Sequence, residues 1–325
     1  MMTFIKAYIK SMRLYYAFIT GIAGWLGLSF YEHIATDFRT VEIMPADEKK
    51  GVILILLFLS WGINQIFNDL LGLKEDRINA PERPMVTGEL NPFAASIVSF
   101  ILIIITGFIT YFYLEPIAIL PFLGGIILNM IYEFAKGYGI LGNVIFGLMI
   151  AMCSIFGFLA AGPTQAPYLT QSRLSVLSLI WLMNGLMTFY TYFKDYEGDK
   201  AVNKRTIVVK YGIEKSRIIA IMSSFLPSIL FIIIYLLNLI DAPLNKIFII
   251  LALLTFFLQV WTGVLYYKNP VGKMTYYSLA TNFRACTCGQ AAFIALFNTE
   301  LAMLLFLFSY IFVGFLFDLH TNQKA

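Results

Sequence analysis

Ten apolar runs, each long enough to cross a lipid bilayer as a helix, divide almost the whole sequence. A membrane helix needs about 20 mostly apolar residues, since each residue rises about 1.5 Å and the hydrocarbon core is about 30 Å thick. Only Asn298, Thr299 and Glu300 separate the last two runs, so nine or ten spans are predicted. The runs lie at about 14–34, 51–69, 92–113, 115–133, 140–162, 173–193, 216–240, 245–267, 275–297 and 299–318.

The composition agrees with a membrane protein. Hydrophobic residues make up 59% of the 325 positions and charged residues 13%, and a soluble domain of this length cannot bury so much apolar surface. We therefore predict an all-α, polytopic membrane bundle that forms a single domain over residues 1–325. The two histidines lie outside the polar segments described below and the three cysteines lie in apolar runs, so neither histidine catalysis nor a zinc site is predicted. The sequence shows no nucleic-acid signature.

Lysine and arginine gather on one side of the predicted spans. With the N-terminus in the cytoplasm, the inner loops hold most of these residues, from Lys74 and Arg77 to Lys268 and Lys273. This asymmetry predicts that the loops after the second and sixth spans face the cytoplasm. The outer loops hold only Arg39, Lys49, Lys50, Arg173 and Lys246.

The first of these two loops concentrates acids, bases and turn formers. Asp69 and Asp76 are two helical turns apart, roughly 10 Å along an unbroken helix. That separation is too large for one Mg²⁺, but it suits two metal ions bridged by a diphosphate. Alternatively, these acids are simply solvated in a polar loop. The segment reads Asn68-Asp69-Leu-Leu-Gly72-Leu-Lys74-Glu75-Asp76-Arg77, followed by Arg83-Pro84 and Thr87-Gly88.

The second loop carries a matching acidic segment, which begins at Lys194. Asp195 and Asp199 are four positions apart and share one helical face, so their carboxylates can converge on one cation or on two ions held by one ligand. Lys200 follows directly. A salt-bridged loop helix is the alternative, but a second acidic cluster at a matching depth favours a joint functional site.

Together the two segments resemble the UbiA superfamily of intramembrane prenyltransferases. The first family motif, NDxxDxxxD followed by Arg-Pro and Gly, is matched by Asn68-Asp69, Asp76, Asn79, Arg83-Pro84 and Gly88. The second, DxxxD followed by a basic stretch with threonine, is matched by Asp195, Asp199 and Arg205-Thr206. Tyr132, Lys136 and Arg13 also correspond to family positions.

The resemblance implies a helical bundle around a central cavity and a Mg²⁺-dependent prenyltransferase. This enzyme would move a prenyl group from a prenyl diphosphate to an aromatic or other lipophilic acceptor. The implied catalytic residues are Asp69, Asp76, Asp195 and Asp199, which would hold Mg²⁺ together with Asn68. The predicted substrate-binding residues are Arg13, Asn68, Arg77, Tyr132, Lys136, Lys200 and Arg284.

One residue departs from the family pattern, because Gly72 stands where the family has the middle aspartate of its first motif. Glu75 is an acid that could compensate for it. The departure leaves two alternatives open. One is a UbiA-type terpene cyclase that uses no acceptor, and the other is a transporter or lipid-binding protein that no longer ionises a diphosphate.

Two further expectations rest on the residues alone. Arg284 lies inside the ninth apolar run, where a charge costs at least ~2.5 kcal/mol, so a cavity-facing role is predicted over snorkelling. Aromatic rings near the acidic segments could stabilise an allylic cation. The candidates are Phe67, Phe189, Tyr190 and Tyr192.

Overall fold

The computed structural model describes residues 2–36, 44–240, 242, 244–272 and 274–322, and most of them are helical. Asp37, Arg39, Glu42 and Lys273, which bear on the charge asymmetry, lie outside the described residues. The helices and strands are α1 (Met2–Met12), α2 (Phe18–Thr36), α3 (Asp47–Leu71), α4 (Leu73–Asn79), α5 (Pro84–Thr87), α6 (Pro92–Phe112), α7 (Ile119–Ala135), β1 (Tyr138–Gly139), α8 (Leu141–Ala161), α9 (Gln171–Thr191), α10 (Tyr196–Ala201), β2 (Arg205–Thr206), α11 (Ile207–Ser223), α12 (Leu226–Leu236), α13 (Lys246–Lys268), α14 (Thr275–Ile294) and α15 (Thr299–Asn322).

The predicted all-α, multi-pass fold is confirmed. Within the described residues, eight helical segments are long and apolar enough to cross a membrane, and each coincides with a predicted run. The other two runs form α2 and α14, of 19 and 20 residues, and α14 is the more polar of the two. Helix α14 carries Asn282, Thr287 and Gln290 on buried positions, and such polar groups are tolerated where neighbouring helices cover them.

Helices α2 and α8 pack very closely, because glycines allow their backbones to come into contact. A Cβ atom added at Gly157 would stand 2.1 Å from the carbonyl oxygen of Gly24, and one at Gly27 would stand 1.9 Å from that of Ser154. The hydroxyl of Ser154 also donates to the carbonyl of Ala23 at 2.7 Å. Small residues at such an interface gain van der Waals contact that longer side chains would prevent.

The helix that carries the first acidic segment is interrupted at Gly72. This residue has φ −92° and ψ 12°, outside the helical region, and it separates α3 from α4. The expectation of about 10 Å between Asp69 and Asp76 assumed an unbroken helix. That assumption is wrong, because the bend at Gly72 lets both carboxylates contact the Arg83 guanidinium.

Asn79 joins the two acidic segments, and a short strand pair connects the turn after α7 to the chain that follows the second segment. The amide of Asn79, at the end of α4, donates from Nδ2 to the carbonyl of Asp195 at 3.1 Å, and its Oδ1 accepts from the backbone N–H of Gly198 at 2.9 Å. Strands β1 and β2 pair in parallel, with Tyr138 opposite Arg205 and Gly139 opposite Thr206. Helices α4 and α10 therefore pack side by side at one end of the bundle.

Candidate active site

A cavity of about 210 Å³ opens between α3, α6, α7, α8 and the two acidic segments. Its polar end is lined by Arg13, Asn68, Asp69, Glu75, Asp76, Arg83, Glu133, Lys136, Lys194 and Asp195. Its remainder is largely apolar and includes Leu56, Leu57, Ile103, Phe122, Ile126, Met149, Met152 and Phe156. The cavity can therefore take a molecule with one charged end and a long apolar chain.

In the first acidic segment, arginines hold the aspartates. The Arg83 guanidinium bonds to the Asp76 carboxylate and lies 3.4 Å from Oδ1 of Asp69, while Arg13 bonds to Asp69 from the N-terminal segment. Gln65 also donates to Asp69, at 3.2 Å. Burial raises the pKa of Asp76 to about 6, although Arg83 opposes this rise. Both carboxylates are almost fully buried, so their charge depends on these cations.

In the second segment, Asp195 and Asp199 converge on one cation, as their spacing predicts. The Lys136 ammonium, just after α7, lies 3.0 Å from Asp199 Oδ1 and 3.8 Å from Asp195 Oδ2. Asp199 is completely buried, and this burial raises its pKa to about 7. Burial acts on Asp195 in the same direction, but Lys136 and Lys194 outweigh it and hold the pKa of Asp195 below its usual value.

A third ionic cluster joins three chain segments, and the sequence analysis does not anticipate it. The Lys204 ammonium bonds to the Glu75 carboxylate and lies 3.0 Å from Oε2 of Glu133. Glu75 and Glu133 both line the cavity. No sequence signal points to this cluster, because its pairs join positions 129 and 71 residues apart.

Several of the predicted site residues reach the cavity. Asn68 and Tyr132 line it with Arg13 and Lys136, and the Tyr132 ring packs against Phe146 at 5.3 Å. Asp199 does not line the cavity, but its carboxylate contacts the Lys136 ammonium at 3.0 Å. These residues come together because α3, α7, α9 and the N-terminal segment end at the same level of the bundle.

Arg77 and Lys200 do not line the cavity. Each directly follows an inward-facing acid, Asp76 or Asp199, and one step along a helix turns the next side chain by about 100°. Both are exposed, and Lys200 lies over the Tyr196 ring at 5.5 Å. The structure thus places them beside the site rather than within it.

The expectation of a cavity-facing Arg284 is wrong. Its Nε donates to the carbonyl of Tyr310 on α15 at 3.0 Å, and its guanidinium lies 4.9 Å from the centre of the Tyr310 ring. The preceding residue, Phe283, faces the cavity instead. Gly314 makes room for the arginine, since a Cβ there would stand 1.5 Å from the guanidinium.

The aromatic lining also differs from the prediction. Phe189, Tyr190 and Tyr192 pack with Tyr266 in a separate buried cluster. The rings that line the cavity are Tyr16, Trp61, Phe122, Tyr132, Phe146, Phe156 and Phe283. Among them Tyr16 stacks on Phe283 at 4.6 Å and meets the edge of Trp61 at 6.0 Å.

The oxygen atoms of the site suit a hard divalent cation. Asn68 Oδ1, Asp69 Oδ2 and Asp199 Oδ2 are buried and accept no hydrogen bond within the described chain, while Asp199 Oδ1 is paired with Lys136. Among the described residues, no three His, Cys, Asp or Glu side chains stand close enough to enclose a metal by themselves. Mg²⁺ commonly takes one or two carboxylates and completes its shell with phosphate oxygens and water, so this donor set fits it.

The fold and the site define a multi-pass membrane enzyme with an acid-lined cavity. The chain belongs to the UbiA prenyltransferase family, whose family model matches residues 50–279. It is therefore a membrane prenyltransferase. A digeranylgeranylglyceryl phosphate synthase from Pyrococcus horikoshii is 30% identical over 232 residues, 68% of this chain and 77% of the relative. One from Sulfolobus acidocaldarius is 26% identical over 259 residues, 76% of this chain and 87% of the relative.

Solved structures show the same fold. A UbiA homologue from Archaeoglobus fulgidus, bound to GPP and Mg²⁺, superposes with a TM-score of 0.62 at 16% identity and covers 90% of this chain and 99% of its own. A structure that concerns digeranylgeranylglyceryl phosphate synthase in membranes gives 0.60 at 22% identity and covers 91% and 98%.

Proposed function

We propose that this protein transfers a prenyl group from a prenyl diphosphate to the hydroxyl of a prenylated glyceryl phosphate, with Mg²⁺ as cofactor. The observation that carries the proposal is the cavity itself. Its polar end gathers both acidic segments with Arg13, Arg83 and Lys136, and its remainder is apolar. A prenyl diphosphate has the same division into a highly charged head and a hydrocarbon tail.

The relatives support this acceptor over the aromatic one that the sequence analysis names first. Several of them are named digeranylgeranylglyceryl phosphate synthase. A glyceryl phosphate with two geranylgeranyl groups can be made by adding the second group to a singly prenylated one. Such an acceptor needs polar partners, and Ser60, Asn64, Gln65 and Asn68 on α3 offer hydroxyl and amide groups along one cavity wall.

The cations of the site bind and orient the diphosphate. Arg13, Arg83 and Lys136 reach the polar end from three different segments, so they can meet phosphate oxygens from several sides. Asn68, Asp69, Asp76, Asp195 and Asp199 would hold Mg²⁺, which would supply Lewis-acid stabilisation of the negative charge on the leaving group. The four aspartates hold that position because Arg83 and Lys136 fix their side chains.

The rest of the cavity protects the reacting carbon. When the bond between the prenyl C1 and the diphosphate oxygen breaks, the electron pair leaves with the diphosphate and C1 becomes an allylic cation. The faces of Tyr16, Trp61 and Phe283 can stabilise this charge, and the apolar wall excludes water. The acceptor oxygen then bonds to C1, and the hydroxyl proton passes to the departed diphosphate.

The test is a product analysis with the purified full-length protein. Geranyl, farnesyl and geranylgeranyl diphosphates are each incubated with Mg²⁺ and either geranylgeranylglyceryl phosphate, 4-hydroxybenzoate or no acceptor. We expect diphosphate release that depends on Mg²⁺ and on the glyceryl phosphate, with a doubly prenylated product identified by mass.

Other outcomes would replace this proposal. Prenylated 4-hydroxybenzoate alone would establish an aromatic acceptor. Release without any acceptor, with a cyclic hydrocarbon or alcohol as product, would establish a terpene cyclase. No release with any donor would exclude prenyl transfer from these diphosphates.

A further inference from the structure

We infer that Glu75 supplies the metal-binding carboxylate that Gly72 leaves missing, and that Lys204 serves as its counter-ion while no metal is bound. This inference rests on the proposed Mg²⁺-dependent function. It concerns this chain in particular, because position 72 departs from the family motif.

The space beside Gly72 is occupied by the Glu75 carboxylate. A Cβ added at Gly72 would lie 2.9 Å from the carbonyl oxygen of Asn68 in the preceding turn, 3.4 Å from Oε1 of Glu75 and 3.7 Å from the Glu75 carboxyl carbon. An aspartate at 72 would carry its carboxylate one bond beyond that Cβ. The longer side chain of Glu75 thus brings the same chemical group to the same neighbourhood from one helical turn further along.

Burial and orientation point Glu75 toward the site. Only 4% of the residue is exposed, and it lines the cavity together with Asp69 and Asp76. Asn68 Oδ1 and Asp69 Oδ2, buried in the same segment, accept no hydrogen bond from the described residues. These two free oxygens are an independent sign that a ligand completes this part of the site.

The net charge of the cluster formed by Lys204, Glu75 and Glu133 also favours binding of a cation. Lys204 contacts two carboxylates, of Glu75 and Glu133, so one negative charge is left over. A buried carboxylate without any partner would be strongly unfavourable, and the ion pairs with Lys204 prevent this. When a divalent cation binds near Glu75, Lys204 can remain paired with Glu133.

Metal binding tests the inference without relying on turnover. Mn²⁺, which shares the preference for oxygen ligands, is titrated into the full-length protein with inorganic diphosphate present, and bound ion is measured by electron paramagnetic resonance. We expect Glu75→Gln to weaken Mn²⁺ binding by about tenfold. Adding Gly72→Asp to Glu75→Gln should restore it. Glu197→Gln, an exposed acid at the same end, is the matched control and should bind as the wild type does.

Asp195→Asn separates this inference from the proposed function. If Asp195→Asn weakens Mn²⁺ binding and Glu75→Gln does not, the metal site stands and Glu75 is only a structural ion pair. If neither variant weakens binding, the proposed metal site itself is wrong. Thermal unfolding confirms that each variant is folded.

Lys204→Met is expected to change Mn²⁺ affinity in the opposite direction from Glu75→Gln. It also tests the role of Glu75 if Glu75→Gln does not fold. Removing the counter-ion frees Glu75 for metal, so we expect tighter Mn²⁺ binding than in the wild type. Unchanged or weaker binding would contradict the role given to Glu75.

Discussion

Arg83 contacts two carboxylates, of Asp69 and Asp76, that lie seven positions apart in the sequence. It is placed there by the turn that follows α4, while Arg13 reaches Asp69 from the N-terminal segment. Arginine suits this position, because its planar guanidinium donates in several directions at once and stays charged when buried. The same geometry suits it for phosphate oxygens when a diphosphate enters.

Arg284 was predicted to face the cavity, but in the structure its side chain contacts α15 instead. Arg284→Ala should leave prenyl diphosphate affinity unchanged, because the side chain points to the Tyr310 carbonyl on α15. It should lower thermal stability by about 1–2 kcal/mol, through the lost hydrogen bond and ring contact. Binding of a labelled prenyl diphosphate and thermal unfolding in detergent measure the two effects.

Arg13→Ala is the contrasting variant for this experiment. Arg13 lines the cavity and contacts Asp69, so its removal should weaken diphosphate binding. Weaker binding in Arg284→Ala, with unchanged stability, would instead return Arg284 to the substrate site.

At the scale of elements, the contact between α4 and α10 decides how the two acidic segments face each other. Asn79 makes one hydrogen bond to Asp195, just before α10, and one to Gly198 within α10, and Gly198 lets the Asn79 side chain approach closely. A Cβ at Gly198 would lie 2.3 Å from the Asn79 amide nitrogen. The relative position of Asp76 and Asp195 thus depends on a glycine that carries no chemistry of its own.

Gly198→Ala should therefore reduce prenyl transfer by about tenfold or more, since small displacements of catalytic groups cost about this much. Helical content by circular dichroism should stay unchanged, because α10 has only six residues. Gly51→Ala is the control, since nothing lies within 4 Å of a Cβ there. Full activity in Gly198→Ala would show that the close contact is not needed.

The sequence predicts which segments form helices better than it predicts which face of each helix points into the bundle. Asp69, Asp76, Asp195 and Lys136 all line one cavity, because each lies near the end of a long apolar helix. Which face of α14 or α9 turns inward depends on packing against other helices. For this reason Arg284 and the Phe189 cluster were misplaced.

The ion pairs around Lys204 show a second limit of sequence reasoning. Lys204, Glu75 and Glu133 come from three segments, and no local pattern relates them. Only the assembled bundle brings α4, α7 and the turn after α10 together.

At the scale of the whole molecule, the two ends of the bundle differ in chemistry. The acidic segments occupy one end. At the other, Lys49 pairs with Glu115 at 2.8 Å and Lys50 pairs with Glu32 at 2.6 Å, which ties α2, α3 and the turn before α7 together. The distribution of Lys and Arg predicts that the acidic end faces the cytoplasm.

Cysteine labelling in sealed vesicles tests this orientation. Cys286 and Cys288 are buried and Cys153 is replaced by alanine, so an introduced cysteine is the one that reacts. Glu197→Cys and Glu48→Cys replace exposed residues at opposite ends. We expect a membrane-impermeant maleimide to reach Glu197→Cys from the cytoplasmic side and Glu48→Cys from the outer side. The reverse pattern would invert the topology, and reaction of both from one side would contradict the fold.

The ion pairs around the acidic segments have a consequence for how substrates enter the cavity. Asp69, Asp76, Asp199 and Glu75 each contact an arginine or a lysine, so each of these four buried carboxylates already has a cationic partner. Entry of the reactants is then an exchange of partners, in which phosphate oxygens take the cations and metal ions take the acids. Neither reactant alone can complete this exchange without leaving buried charges of one sign unpaired in the cavity. Metal and prenyl diphosphate should therefore be taken up as a pair.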